Sequence, residues 1–155
     1  MVRRVYERYR RPLLIMIALA VLLQSLEIAL VELGGAVSTQ EAFGSLMNWY
    51  ALVLFIAFPA AIVWHSIVRP GEPPLVVKSA DAFMLGMVSS GIIGAVSLAL
   101  GVLGILVRWM VHGWSNQESV LVVGSVAGFL LVLPLGGAAG WVVYSLVRLR
   151  LRERQ

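Results

Sequence analysis

Four long apolar stretches dominate the chain, at 12–33, 46–68, 82–111 and 119–147, each separated from the next by a short polar or glycine- and proline-rich interruption. None shows the strict two-residue alternation of a half-buried strand. Each has the length a membrane helix needs, because a hydrocarbon layer ~30 Å thick takes ~20 residues at ~1.5 Å of rise apiece. The pattern predicts an all-α integral membrane protein, a four-transmembrane-helix bundle with short loops, forming one membrane domain over 1–155.

The interruptions carry recognisable stop and start signals. Pro12 suits a first helical turn, where its missing N–H leaves no bond unmade. Gly34-Gly35 closes the first stretch. Ser38 to Glu41 and Ser115 to Glu118 have the S-x-x-E spacing in which serine and glutamate satisfy each other's backbone donors, and so open the second and fourth helices. Arg69-Pro70-Gly71-Glu72-Pro73-Pro74 ends the second, since that proline density cannot continue a helix. Ahead of the first stretch, Val2, Val5, Tyr6 and Tyr9 recur at helical spacing among arginines. Two readings fit them: a short interfacial helix, or a basic flank without regular structure. The first stretch is expected to be a retained span rather than a cleaved secretory signal, because it is too long for a signal core and contains Glu27.

Composition narrows the class further. Of 155 residues, 60% are hydrophobic and 13% charged, against ~45–50% and ~25% in soluble domains. Mean hydropathy is +0.92. A soluble enzyme, a disordered tail and a disulfide-stapled module are excluded. The absence of cysteine also removes thiolate, iron–sulfur and Cys-zinc chemistry.

The net charge of +4 and pI near 10.1 would suggest nucleic acid in a soluble protein, but here the charges flank spans. Of twelve basic residues, five lie in 1–11, four in 148–155 and two, Arg69 and Lys78, in the second connection, leaving Arg108 alone at the other border. The positive-inside rule then places both termini in the cytoplasm, N-in/C-in, in the cell membrane, with no nucleic-acid partner. Tryptophans support this map. Trp49, Trp109 and Trp114 fall at outer ends, Trp64 and Trp141 towards inner ends, as interfacial residues do.

Small residues mark where membrane helices approach closely. Gly86, Ser90, Gly94, Ser97, Gly101 and Gly104 form one stripe on the third span at spacings of three and four. The fourth adds Gly124-x-x-x-Gly128 and Gly136-x-x-x-Gly140. The third and fourth helices are therefore expected to pack closest, as an antiparallel pair within one chain. The alternative is a seam with a second copy or a partner subunit. Pro59 and Pro134 lie near the middle of their spans and predict kinks, read as fixed packing features rather than gating hinges.

Chemistry-bearing groups are few. Glu27, ~22 Å of helical rise beyond Pro12, is the leading intramembrane ionisable residue, and Gln24 shares its face. Glu32 stands ~140° round the helix by the 3.6-residue period, so the two carboxylates make no catalytic pair within the helix. Glu27 or Glu32 is expected to pair with Arg108. His65 and His112 fall at opposite membrane borders, so they cannot ligate one haem within a chain, and His65 alone is a weak axial candidate. Ser89, Ser90 and Ser97 have no base at their depth. No phosphate-cradling loop, metalloprotease helix or nucleophile elbow occurs. The expectation is a chain without catalysis, cofactor or metal: an accessory subunit of a larger membrane complex, for example a respiratory one. It would be partnered by the bilayer and by other membrane subunits or copies of itself. The alternative is a small oligomeric channel or transporter that uses Glu27.

Overall fold

The computed structural model describes residues 1–32, 50–69, 75–113 and 116–152. These form four helices: α1 (Val2–Glu32), α2 (Tyr50–Val68), α3 (Ser79–His112) and α4 (Asn116–Arg152). All four are long and apolar enough to cross a membrane, and no strand occurs among the described residues. The four expected stretches are helical as far as they are described, but the first, third and fourth helices start before them, and α3 and α4 also run beyond their own. Apolar runs report the hydrocarbon-facing part of a helix, whereas backbone hydrogen bonding continues into polar flanks of good helix formers such as arginine. The S-x-x-E segment at 38–41 lies outside the described residues, as does Ser115.

In α1 the basic flank is helical, and Val5, Tyr9 and Leu13 bury one face of it in the core. Tyr9 itself leaves helical geometry, at φ −112° and ψ 22°. Counted from this kink, Pro12 falls in the first turn of the following segment. It therefore needs no N–H partner there, and its ring does not press on a carbonyl in mid-helix.

Pro59 acts differently. The turn ahead of it, Val53–Ala57, is π-helical, with the Phe58 N–H donating to the Val53 carbonyl. Widening this turn relieves the clash between the proline ring and the carbonyl four residues earlier. Pro59 is fully buried, and regular helix follows over Phe58–Val68. The expected distortion at Pro59 thus takes the form of a π turn. Across Pro134, which is exposed, α4 remains helical.

α3 opens on Asp81, whose carboxylate accepts the backbone N–H groups of Lys78 at 2.9 Å and Val77 at 3.1 Å. These are donors that a helix start leaves unpaired. It closes on Gly113, at φ +80°, whose N–H donates to the Trp109 carbonyl. That conformation is readily open only to glycine.

The buried core joins Val5, Tyr9, Leu13 and Ala20 of α1 to Leu54, Ile62 and Val63 of α2 and Ala82, Leu85 and Ile93 of α3. Outside it, large apolar side chains are openly exposed, among them Leu22, Met110, Val120 and Leu131. Apolar surface on this scale suits helices that face lipid rather than water.

α3 and α4 make the most extensive helix pair. At Gly86 an added Cβ would strike the Gly136 carbonyl, and at Gly140 the Ala82 carbonyl. At Gly137 it would come within 2.7 Å of the Phe83 ring, and at Gly94 within 3.1 Å of Phe129. Further along, among the described residues, Gly101 has only Ser125 Oγ, at 3.8 Å, and Gly124 and Gly128 have nothing within 4 Å. The pair is thus closest where α3 begins and α4 ends, and it loosens toward their other ends. Sequence spacing alone gave Gly124 and Gly128 the same status as Gly136 and Gly140. The structure separates them, because spacing defines a face of one helix but not the facing surface.

Candidate functional site

Two groupings of polar side chains survive in this apolar bundle. The first lies between α1 and α2. Tyr9, held inward by the same face as Val5 and Leu13, brings its hydroxyl 2.5 Å from Ser66 Oγ and 3.2 Å from His65 Nδ1. The Tyr9 and His65 rings meet edge to face at 5.8 Å and 81°. Ser66 is fully buried and Tyr9 nearly so, whereas His65 is exposed. A buried hydroxyl needs a partner, and the triad supplies one for each. If Ser66 donates to Tyr9 and Tyr9 to Nδ1, the ring proton sits on Nε2, which no other side chain in the triad occupies.

The second grouping lies between α1 and α3, where Gln24 and Ser25 border a groove of about 160 Å³ with Leu100, Leu103, Gly104 and Val107. Gln24 Oε1 is buried without a hydrogen-bond partner among the described residues, as is the Tyr50 hydroxyl. An amide oxygen so placed costs about 1–3 kcal/mol relative to a paired one, which makes Gln24 the leading unspent polar group. One turn beyond Gln24 on α1 stands Glu27, and one turn beyond Gly104 on α3 stands Arg108. Glu32 ends α1. The side chains of Glu27, Glu32, Arg108 and His112 lie outside what the structure describes, and with them the expected ion pair. Gly104 thus borders α1, whereas Gly86, Ser90 and Gly94 of the same stripe face α4.

The serines of α3 bond within their own helix. Ser89 donates to the Leu85 and Gly86 carbonyls, and Ser90 to those of Gly86 and Met87. Neither is poised beside a base, as nucleophilic attack requires. Among the described residues no three of His, Cys, Asp and Glu gather as metal ligands do. His65, considered from sequence as an axial haem ligand, has its Nδ1 engaged by Tyr9, a contact that leaves Nε2 outside it.

The Tyr9 network escaped sequence reading because its members are 56 and 57 residues apart. The available signal was Tyr9 itself, a hydroxyl on the apolar Val5–Leu13 face at spacings of four.

Fold and site together define a class: a chain whose described residues are helical, with four helices apolar enough to span a membrane and with polar side chains gathered between α1 and α2 and between α1 and α3. No family model matches the chain, no curated protein matches it, and no solved structure matches it.

Proposed function

We propose that this chain is a non-catalytic multi-pass subunit of a larger membrane assembly, lying in the cell membrane with both termini cytoplasmic. The observation that carries this reading is the open face of α4 at Gly124 and Gly128, where none of the described residues comes within 4 Å of an added Cβ. Membrane helices associate through such smooth surfaces, and the chain's own α3 uses the other end of α4. The scarcity of side-chain chemistry in the bundle points the same way.

Gentle extraction of the full chain, followed by mass analysis of what copurifies, tests the reading. Stoichiometric copies of another membrane subunit are expected, and they should be lost on Gly124→Leu while the isolated chain keeps its helicity. A chain that extracts alone as a monomer overturns the proposal.

Gln24 supports a second reading, a small channel or transporter, because its unpaired Oε1 borders a groove one turn from Glu27. On that reading Glu27→Gln abolishes ion or proton flux in vesicles reconstituted with the chain alone. Absence of flux in the unaltered chain dismisses it.

A further inference from the structure

A second groove, of about 380 Å³, opens between α1 and α2 at the bundle end that gathers the basic residues. Its mouth is polar, set by Arg8 and His65, and its floor is apolar, formed by Pro12, Phe58, Ala61 and Ile62. Along α2, Ala61 and Phe58 lie one and two turns beyond His65, so the lining passes from cationic to hydrocarbon within ~10 Å of helical rise. The geometry points to a binding site for one anionic phospholipid, its phosphate held at Arg8 and His65 and an acyl chain laid along Pro12, Ala61 and Phe58.

Three observations select this occupant. The apolar floor is more than a free anion requires, and the basic mouth is more than an acyl chain requires. Among the described residues no carboxylate lines the groove, so none of them receives the ammonium of a zwitterionic headgroup, and an anionic lipid fits better. Arg8 is also uncommitted: Arg3 donates to Glu7 at 2.8 Å, and Arg8 enters no ion pair among the described residues. Basic pockets between membrane helices at the interface recognise anionic headgroups by this combination.

The Tyr9 triad gives the mouth its order. With Nδ1 bonded to the Tyr9 hydroxyl and that hydroxyl tied to Ser66, the imidazole is held in one orientation and Nε2 is left for a phosphate oxygen. Tyr9 is thus a positioning residue for His65, and it lines the groove together with Arg8.

The test uses the full chain in detergent micelles, with phosphatidylglycerol and phosphatidylcholine of identical acyl chains titrated in and retained lipid read by native mass spectrometry. The unaltered chain is expected to retain phosphatidylglycerol roughly fivefold better, the factor one interfacial cation supplies. Arg8→Gln should bring the ratio close to one, whereas Arg4→Gln, outside the groove, should leave it. Ala61→Phe, which fills the floor without touching charge, should lower retention of both lipids, with circular dichroism confirming the fold. Millimolar inorganic phosphate should displace neither. Equal retention of the two lipids by the unaltered chain overturns the proposal. So does an equal loss of preference from Arg4→Gln and Arg8→Gln, which would assign the effect to the basic flank as a whole. Displacement by inorganic phosphate would make this an anion site without a lipid.

Discussion

Glycines that look equivalent by spacing carry very different structural weight. Gly86 abuts the backbone carbonyl of Gly136, and a backbone atom in a packed helix pair cannot rotate aside as a side chain can. Gly86→Ala should therefore cost at least the ~1–3 kcal/mol typical of overpacking, even though alanine is the better helix former. Gly124→Ala meets none of the described residues within 4 Å and should change stability by no more than the ~1 kcal/mol propensity difference, in the stabilising direction. Reversible unfolding in mixed detergent micelles measures both, and equal effects would mean that α3 and α4 do not cross as described. The sequence shows which small residues share a face, because that follows from 3.6-residue periodicity. It cannot show which face meets another backbone, because that depends on how two helices cross. The same limit hid the Tyr9–His65–Ser66 triad: each residue is visible alone, and only the packing of α1 on α2 makes them one network. Gln24, by contrast, was legible, because a carboxamide in an otherwise apolar run stands out without knowledge of its neighbours.

At the scale of the element, the apolar stretches were readable because hydrocarbon thickness sets a minimum length, but the helix ends were not. The basic segment before Pro12 illustrates why: arginine is a good helix former, so α1 begins at Val2 and only Tyr9 records the junction. Pro59 was legible as a disturbance, yet its form depends on the local response, here an added residue in the turn Val53–Ala57. That turn carries Phe55, whose ring stands 3.7 Å from the position of a Gly94 Cβ, so the proline helps set where α2 meets α3. Pro59→Ala restores an N–H donor for the Phe55 carbonyl and removes the ring clash. The expected outcome is a regular α turn over 53–57, seen as slowed amide exchange at residue 59 relative to its neighbours, with Phe55 shifted away from Gly94. Persistence of the π turn in the alanine variant would show that packing, rather than proline, imposes it.

For the whole molecule, contacts fix which helix ends lie together. Tyr9 near the start of α1 bonds residues near the end of α2. The Tyr144 hydroxyl near the end of α4 donates to the Val77 carbonyl ahead of α3, at 3.3 Å, and Gly140 lies against Ala82. Both termini therefore belong to one end of the bundle, the end that also carries Arg69, Lys78 and Arg148. Moving basic flanks across a membrane is opposed during insertion, and inverting this chain would translocate eleven of its twelve basic residues instead of Arg108 alone. The orientation we propose accordingly puts Ser79 on the cytoplasmic side and Ser115 outside. Because the chain contains no cysteine, single Ser79→Cys and Ser115→Cys variants report side without background labelling. A membrane-impermeant maleimide applied to intact cells is expected to modify the cysteine at 115 and to reach that at 79 only after permeabilisation. The opposite pattern would reverse the orientation. Labelling of both positions in intact cells would mean that the chain inserts both ways, and that the basic residues at this end are held there for the groove they line rather than for topology.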